Sequence, residues 1–117
     1  MSHLRVGSKL GRIKKRRESL VKNLLLSIIL YEKVSTTLAK AKTVLPVIER
    51  LTHRAKKDDL ATKRYLMARM FNNQLLVKKL VKDIAPRYMK KTGGYLRVVK
   101  LKSRVGDDAP MARIEFV

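Results

Sequence analysis

The sequence predicts an α+β fold in two layers: a small three-stranded mixed sheet packed against helices, in the order α-β-α-α-α-β-β. Three observations predict it. Apolar residues recur at helical spacing around Leu20, Leu38 and Leu76. Apolar and polar residues alternate from Met111 to Val117, the pattern of a half-buried strand. The chain has 117 residues, 45% of them hydrophobic, which suits one folded domain and not a disordered tail. A chain of this length buries about two-thirds of its surface on folding, enough for one core, and helices laid on a small sheet close that core in two layers.

Residues 1–11 have no apolar period and contain Gly7, Ser8 and Gly11. They read as an extended basic tail that needs a partner to order it, with residues 12–117 as a single globular domain. A first helix is predicted from Arg12 to about Tyr31, with Leu20, Leu24, Ile28 and Tyr31 on one face and Val21, Leu25 and Ile29 beside them. Val34 to Thr37 follows as a short strand. Thr37 caps a second helix running to about Lys57, with Leu38, Ala41, Leu45, Ile48, Leu51 and Ala55 as its stripe. Pro46 lies inside that helix, lacks an N–H and crowds the Lys42 carbonyl, so a kink or a restart near Thr43 is expected. Asp58-Asp59 connects and caps a third helix, about Leu60 to Met70. Phe71-Asn72-Asn73 turns the chain into a fourth, about Gln74 to Ala85, with Leu76, Leu80 and Ile84 inward and Pro86 stopping or breaking it. After a loop at Lys91 to Gly94, strands are predicted at Tyr95 to Lys102 and from Met111, joined as a hairpin through Ser103 to Pro110.

The charge is the strongest functional signal. Lys and Arg number 29 against 9 Asp and Glu, a formal net charge of +20. Residues 1–30 and 61–90 each hold eight cations and one acid, and the other two quarters are positive as well. Self-repulsion of this size opposes a compact monomer, so a polyanionic partner touching several sides is the expected reason for it. The first turns of the first helix hold Arg12, Lys14, Lys15, Arg16 and Arg17. Cations there oppose the helix macrodipole and repel one another. Phosphate reverses both penalties, because exposed N–H groups and cations then share one anion. The competing reading is a frayed, solvated helix end.

Catalysis finds little support. Cysteine is absent, which removes disulfides, thiolate metal sites and cysteine nucleophiles. His3 and His53 are far apart, and His53 stands four residues after Glu49, the spacing of a solvated helical pair. Asp58-Asp59 and Asp107-Asp108 read as caps and turns, not as a metal site, and Gly93-Gly94 lacks the pattern of a phosphate loop. Neither a cofactor nor a small-molecule substrate is expected. No signal peptide is visible, and the run from Leu24 to Leu30 is too short to span a bilayer, so a cytoplasmic protein with no membrane partner is expected. The six aromatic residues are too scattered for a base-stacking sheet. A rival reading takes about 59–85 as a DNA-binding helix-turn-helix, with Gln74, Lys78, Lys79 and Lys82 facing the major groove; an ordinary αα-hairpin with a basic outer face explains the same residues.

A series of short blocks resembles the bacterial large-subunit ribosomal protein family L17 over essentially the whole chain. They are His3, Lys9-Leu10, Arg12, Arg17 and Asn23; Thr36-Thr37-Leu38 and Lys40-Ala41-Lys42; Ala55-Lys56; Ala85-Pro86-Arg87-Tyr88; Gly93-Gly94-Tyr95 with Arg97; Gly106-Asp107; and Ala109-Pro110-Met111-Ala112 with Glu115. Each block is weak alone; their order and spacing are specific. The chain departs at Ser2, where the family has Arg, and at Arg16, where it has His. The resemblance implies the same fold and a non-catalytic, structural role on the solvent side of the large subunit, near the rim of the nascent-chain exit tunnel. Large-subunit ribosomal RNA would be its main ligand, with neighbouring ribosomal proteins beside it and one of them expected on Leu24 to Leu30. The expected RNA contacts are His3, Arg5, Lys9, Arg12, Lys14, Lys15, Arg16 and Arg17, then Lys40 and Lys42 where the strand enters the second helix. Arg97 is also expected to contact RNA. Gly93 and Gly94 either let RNA approach the backbone closely or simply make a tight turn.

Overall fold

The computed structural model describes residues 14–117. Helix α1 covers Lys14–Tyr31, β1 Lys33–Thr37, α2 Leu38–Ala55, α3 Leu60–Arg69, α4 Gln74–Lys79, β2 Leu96–Leu101 and β3 Met111–Phe116. The α+β class and the element order agree with the sequence. The predicted tail and Arg12 lie outside the described residues.

The predicted caps form. The Thr37 hydroxyl accepts from the Lys40 N–H at 3.4 Å. Asp59 accepts from the Thr62 N–H at 2.8 Å, and Asn73 from the Leu76 N–H at 3.1 Å. Each satisfies an amide that the start of a helix leaves without an internal partner. The turn before α4 holds Phe71 and Asn72 at φ 53° and 55°.

The sheet corrects one expectation. It is wholly antiparallel, not mixed, in the order β1-β3-β2. Val34 and Val98 both pair with Ile114, one from each side. β1 adds to the free edge of β3 in the β2–β3 hairpin, which makes β3 the middle strand, and the parallel β1–β2 contact that would make the sheet mixed does not form. As the central strand, β3 buries Ala112 and Ile114 completely.

Three helical details also differ. Leu25, Ile28 and Ile29 carry the buried face of α1, while Tyr31 is 68% exposed. Within the apolar run from Leu24 to Leu30, Leu25, Ile28 and Ile29 serve the core, and Leu30 is left exposed. Helix α2 runs uninterrupted through Pro46 with no restart at Thr43. Pro46 and Lys42 both face outward, so water can solvate the carbonyl that the proline leaves free. Beyond α4 the chain does not stop at Pro86 but breaks there, the second of the two expected outcomes. It widens into a π-helical turn at Leu80–Ile84, where the Ala85 N–H reaches the Leu80 carbonyl, then tightens into a 3-10 turn at Ala85–Tyr88. Pro86 offers no i−4 hydrogen bond, and the change of pitch absorbs that loss while Leu80, Ile84, Ala85 and Tyr88 all stay buried.

These elements enclose one apolar cluster, from Leu25, Ile28 and Ile29 through Val44, Ile48 and Leu51 to Leu66, Met70, Leu80, Tyr95 and Ile114.

Candidate nucleic-acid interface

Lys14, Lys15 and Arg16 stand exposed along the first turn of α1, and Arg17 is half-buried. Lys15 and Arg16 share a shallow groove with Ser19, Leu20 and Asn23. Arg17 turns to another, formed with Val21 of α1, Thr43 and Val47 of α2 and Arg69 of α3. Lys40 and Lys42 occupy the start of α2, Lys40 half-buried and Lys42 exposed. None of these six cations forms an ion pair among the described residues. The preceding thirteen residues contain no Asp or Glu. Both groups thus present positive charge at a helix N-terminus, where amide dipoles point the same way. His3, Arg5, Lys9 and Arg12 lie outside the described residues.

The two glycines separate. Gly94 has φ +67°, a left-handed conformation that a turn requires and other residues resist. Gly93 has no such φ, and a Cβ built on it would meet nothing within 4 Å. Neither the turn nor internal packing explains why residue 93 lacks a side chain.

Arg97 is engaged within the fold. Its Nε donates to Glu115 at 2.8 Å, and Arg113 lies 3.3 Å from the other oxygen of the same carboxylate. Hydrogen bonding from Arg97, followed by the charge of Arg113, keeps the Glu115 carboxyl below its usual range against the opposing cost of burial.

Two of the three cations proposed for a helix-turn-helix are similarly occupied, while Lys78 is exposed and forms no ion pair among the described residues. Lys79 donates to the Leu30 carbonyl at 2.7 Å and pairs with Glu32 at 3.5 Å; Lys82 pairs with Asp58. The α-helical part of the would-be recognition element is only six residues long. The helix-turn-helix reading is not supported.

The expected Glu49–His53 pair is replaced by something the sequence did not show. Glu49 accepts from the Tyr95 and Leu96 N–H groups at 3.2 and 2.9 Å, and His53 Nδ1 lies 2.8 Å from the Tyr95 hydroxyl. One turn of α2 thereby pins the 92–95 loop and the start of β2. Backbone amides at a strand entrance offer the carboxylate two directed hydrogen bonds, more than an exposed helical pair gives. Beside this junction opens a groove lined by Arg50, Arg54 and Lys57 of α2, Tyr65 of α3, and Thr92 and Gly93. The Arg54 and Arg69 guanidiniums lie 4.1 and 4.4 Å from the Tyr65 ring centre. The i,i+4 spacing of Arg50 and Arg54 outside the apolar stripe was a usable signal; Tyr65 as the partner of Arg54 and Arg69 was not.

The sequence profile described as Ribosomal protein L17 matches residues 20–117. A "Large ribosomal subunit protein bL17" of Thermomicrobium roseum is 44% identical over 117 residues, covering 100% of this chain and 99% of its own. A protein of the same name from Orientia tsutsugamushi (strain Ikeda) is 44% identical over all of this chain and 80% of its own. Another, from Persephonella marina, is 48% identical over 107 residues, covering 91% of this chain and 86% of its own.

Proposed function

The chain belongs to the ribosomal protein L17 family, and from that premise we propose that it binds and stabilises folded large-subunit rRNA through Lys and Arg contacts to phosphate. It is a structural constituent of the large ribosomal subunit, hence of the cytoplasmic ribosome, and not an enzyme. The primary contact is the start of α1, with Lys14, Lys15, Arg16 and Arg17 joined by Arg12 and by His3, Arg5 and Lys9 of an RNA-bound tail at residues 1–11. Residues 12–117 act as one body behind it. Lys40 and Lys42 make the second contact, and Gly93 lets RNA approach the backbone. Gly94 serves the turn, and Arg97 contributes from beside Glu115. The place of binding is the solvent side of the subunit, near the exit-tunnel rim, as the family resemblance implies; neighbouring ribosomal proteins flank it there.

The observation that carries this reading is six clustered cations with no ion pair among the described residues, on a chain of net charge +20. Unopposed charge is retained at a cost to stability, and releasing counterions from phosphate offsets that cost. Sedimentation of a tagged copy from lysate, before and after a high-salt wash, tests it. Persistent co-migration with the large subunit is expected; loss into the free or nucleoid fraction overturns it.

A further inference from the structure

We propose that the groove between the C-terminal half of α2, the start of α3 and the 92–95 loop is a third RNA contact, one that holds an unpaired stretch of rRNA strand. The proposal rests on the rRNA-binding reading above and extends it from Gly93 to the surrounding groove, whose Arg50, Arg54, Lys57 and Tyr65 that reading does not include.

Three features converge there. Arg50, Arg54 and Lys57 supply the positive lining. The two carboxylates in the same wall are engaged: Glu49 by the Tyr95 and Leu96 amides, and Asp59 by the Thr62 amide. Both Glu49 oxygens and one Asp59 oxygen are thus met by N–H dipoles. The second feature is the Tyr65 platform. The Arg54 guanidinium rests 4.1 Å from its ring, so it loses less freedom when it donates to phosphate or stacks on a base; Arg69, 4.4 Å from the same ring, lines the Arg17 groove instead. Unpaired nucleotides are held by such flat cationic and aromatic surfaces, since every base has a face to stack. The third is Gly93, whose open backbone forms part of the wall with neither a strained φ nor a packed neighbour to require glycine. A concave groove with stacked planes and a bare backbone fits a single strand. The start of α1, with cations beside helix amides and no aromatic ring in its shallow groove, fits phosphates on any RNA surface.

The chain has no cysteine, which makes a direct test available. Full-length protein carrying Ala61→Cys, in the groove, or Ser19→Cys, beside the start of α1, is loaded with a tethered iron chelate and assembled on large-subunit rRNA. Hydroxyl radicals from position 61 are expected to cut unpaired nucleotides, distinct from those cut from position 19. Cutting from 19 but not from 61 overturns the groove and leaves the primary site standing. Cutting from 61 confined to base-paired segments overturns the single-strand assignment. No cutting from either position overturns both readings. In a parallel measurement, Arg50→Gln with Arg54→Gln is expected to make the logarithmic salt slope of rRNA binding shallower by about 1.4, at about 0.7 per single-strand phosphate contact. An unchanged slope overturns the proposal.

Discussion

Two groups of cations on this chain have the same chemistry and opposite surroundings. At the start of α1, Lys14, Lys15, Arg16 and Arg17 have no acidic partner among the described residues. At its end, Glu32 gathers Arg87 and Lys79 around one carboxylate, with Asp83 on the far side of Arg87 at 3.3 Å. The second group ties α1, the end of α4 and the 3-10 turn together; the first forms no such tie among the described residues. A net charge of +20 therefore says little about where a polyanion sits. The partnership of each cation says more, because a cation already satisfied by a carboxylate releases fewer counterions when phosphate arrives.

The largest expected effect breaks the comparison at its unpaired end. Changing Arg12, Lys14, Lys15, Arg16 and Arg17 to Ser should make the salt slope of rRNA binding shallower by about 4.5, at about 0.9 for each phosphate that is no longer neutralised. Thermal stability should hold or rise, since the removed charges oppose the α1 dipole. An unchanged slope would sink the primary site.

A smaller effect is expected at the paired end. Glu32→Gln should cost about 1 kcal/mol or less in a thermal melt, the usual worth of a surface ion pair, and leave the salt slope alone. Its pH dependence carries the sharper signature. Hydrogen bonding from Arg87 leads the causes that hold the Glu32 carboxyl below its ordinary 4.5, with the charges of Arg87 and Lys79 adding to it against the cost of burial. A depressed carboxylate contributes stability that is fully present above the unfolded value and lost as pH falls through the folded one. Acid melts from pH 6 downward should therefore show wild type losing stability below about pH 4.5, with a smaller loss in Glu32→Gln. The α1 variant should lose as much as wild type; if it does not, the two groups are not independent.

What could be read in advance follows the range of each interaction. Thr37, Asp59 and Asn73 act on amides three residues away, so their caps were legible, as was the β2–β3 hairpin. Addition of β1 to β3 spans almost the whole chain, and nothing near Val34 encodes Ile114 as its partner. The same limit hid Glu49, whose amide partners lie 46 and 47 residues on. For the interface, the cationic start of α1 was legible because it violates a local rule of helix electrostatics. Arg97 was not legible as an internally paired residue, since Glu115 meets it only across the sheet.

The smallest effect is expected at the two adjacent glycines, and it separates folding from binding. Gly94→Ala should cost about 1 kcal/mol, because alanine resists the left-handed φ of +67° that the turn imposes. Gly93→Ala should change stability by less than about 0.5 kcal/mol, since it meets no strained φ and no neighbour within 4 Å. Any loss of rRNA affinity in Gly93→Ala would then come from the RNA side of the wall. A methyl group that costs nothing in the free protein but several-fold in binding marks a place where another backbone comes too close for a side chain. Equal affinity for Gly93→Ala and wild type would mean that the loop is a turn alone, and would leave Arg50, Arg54 and Tyr65 to hold the strand without it.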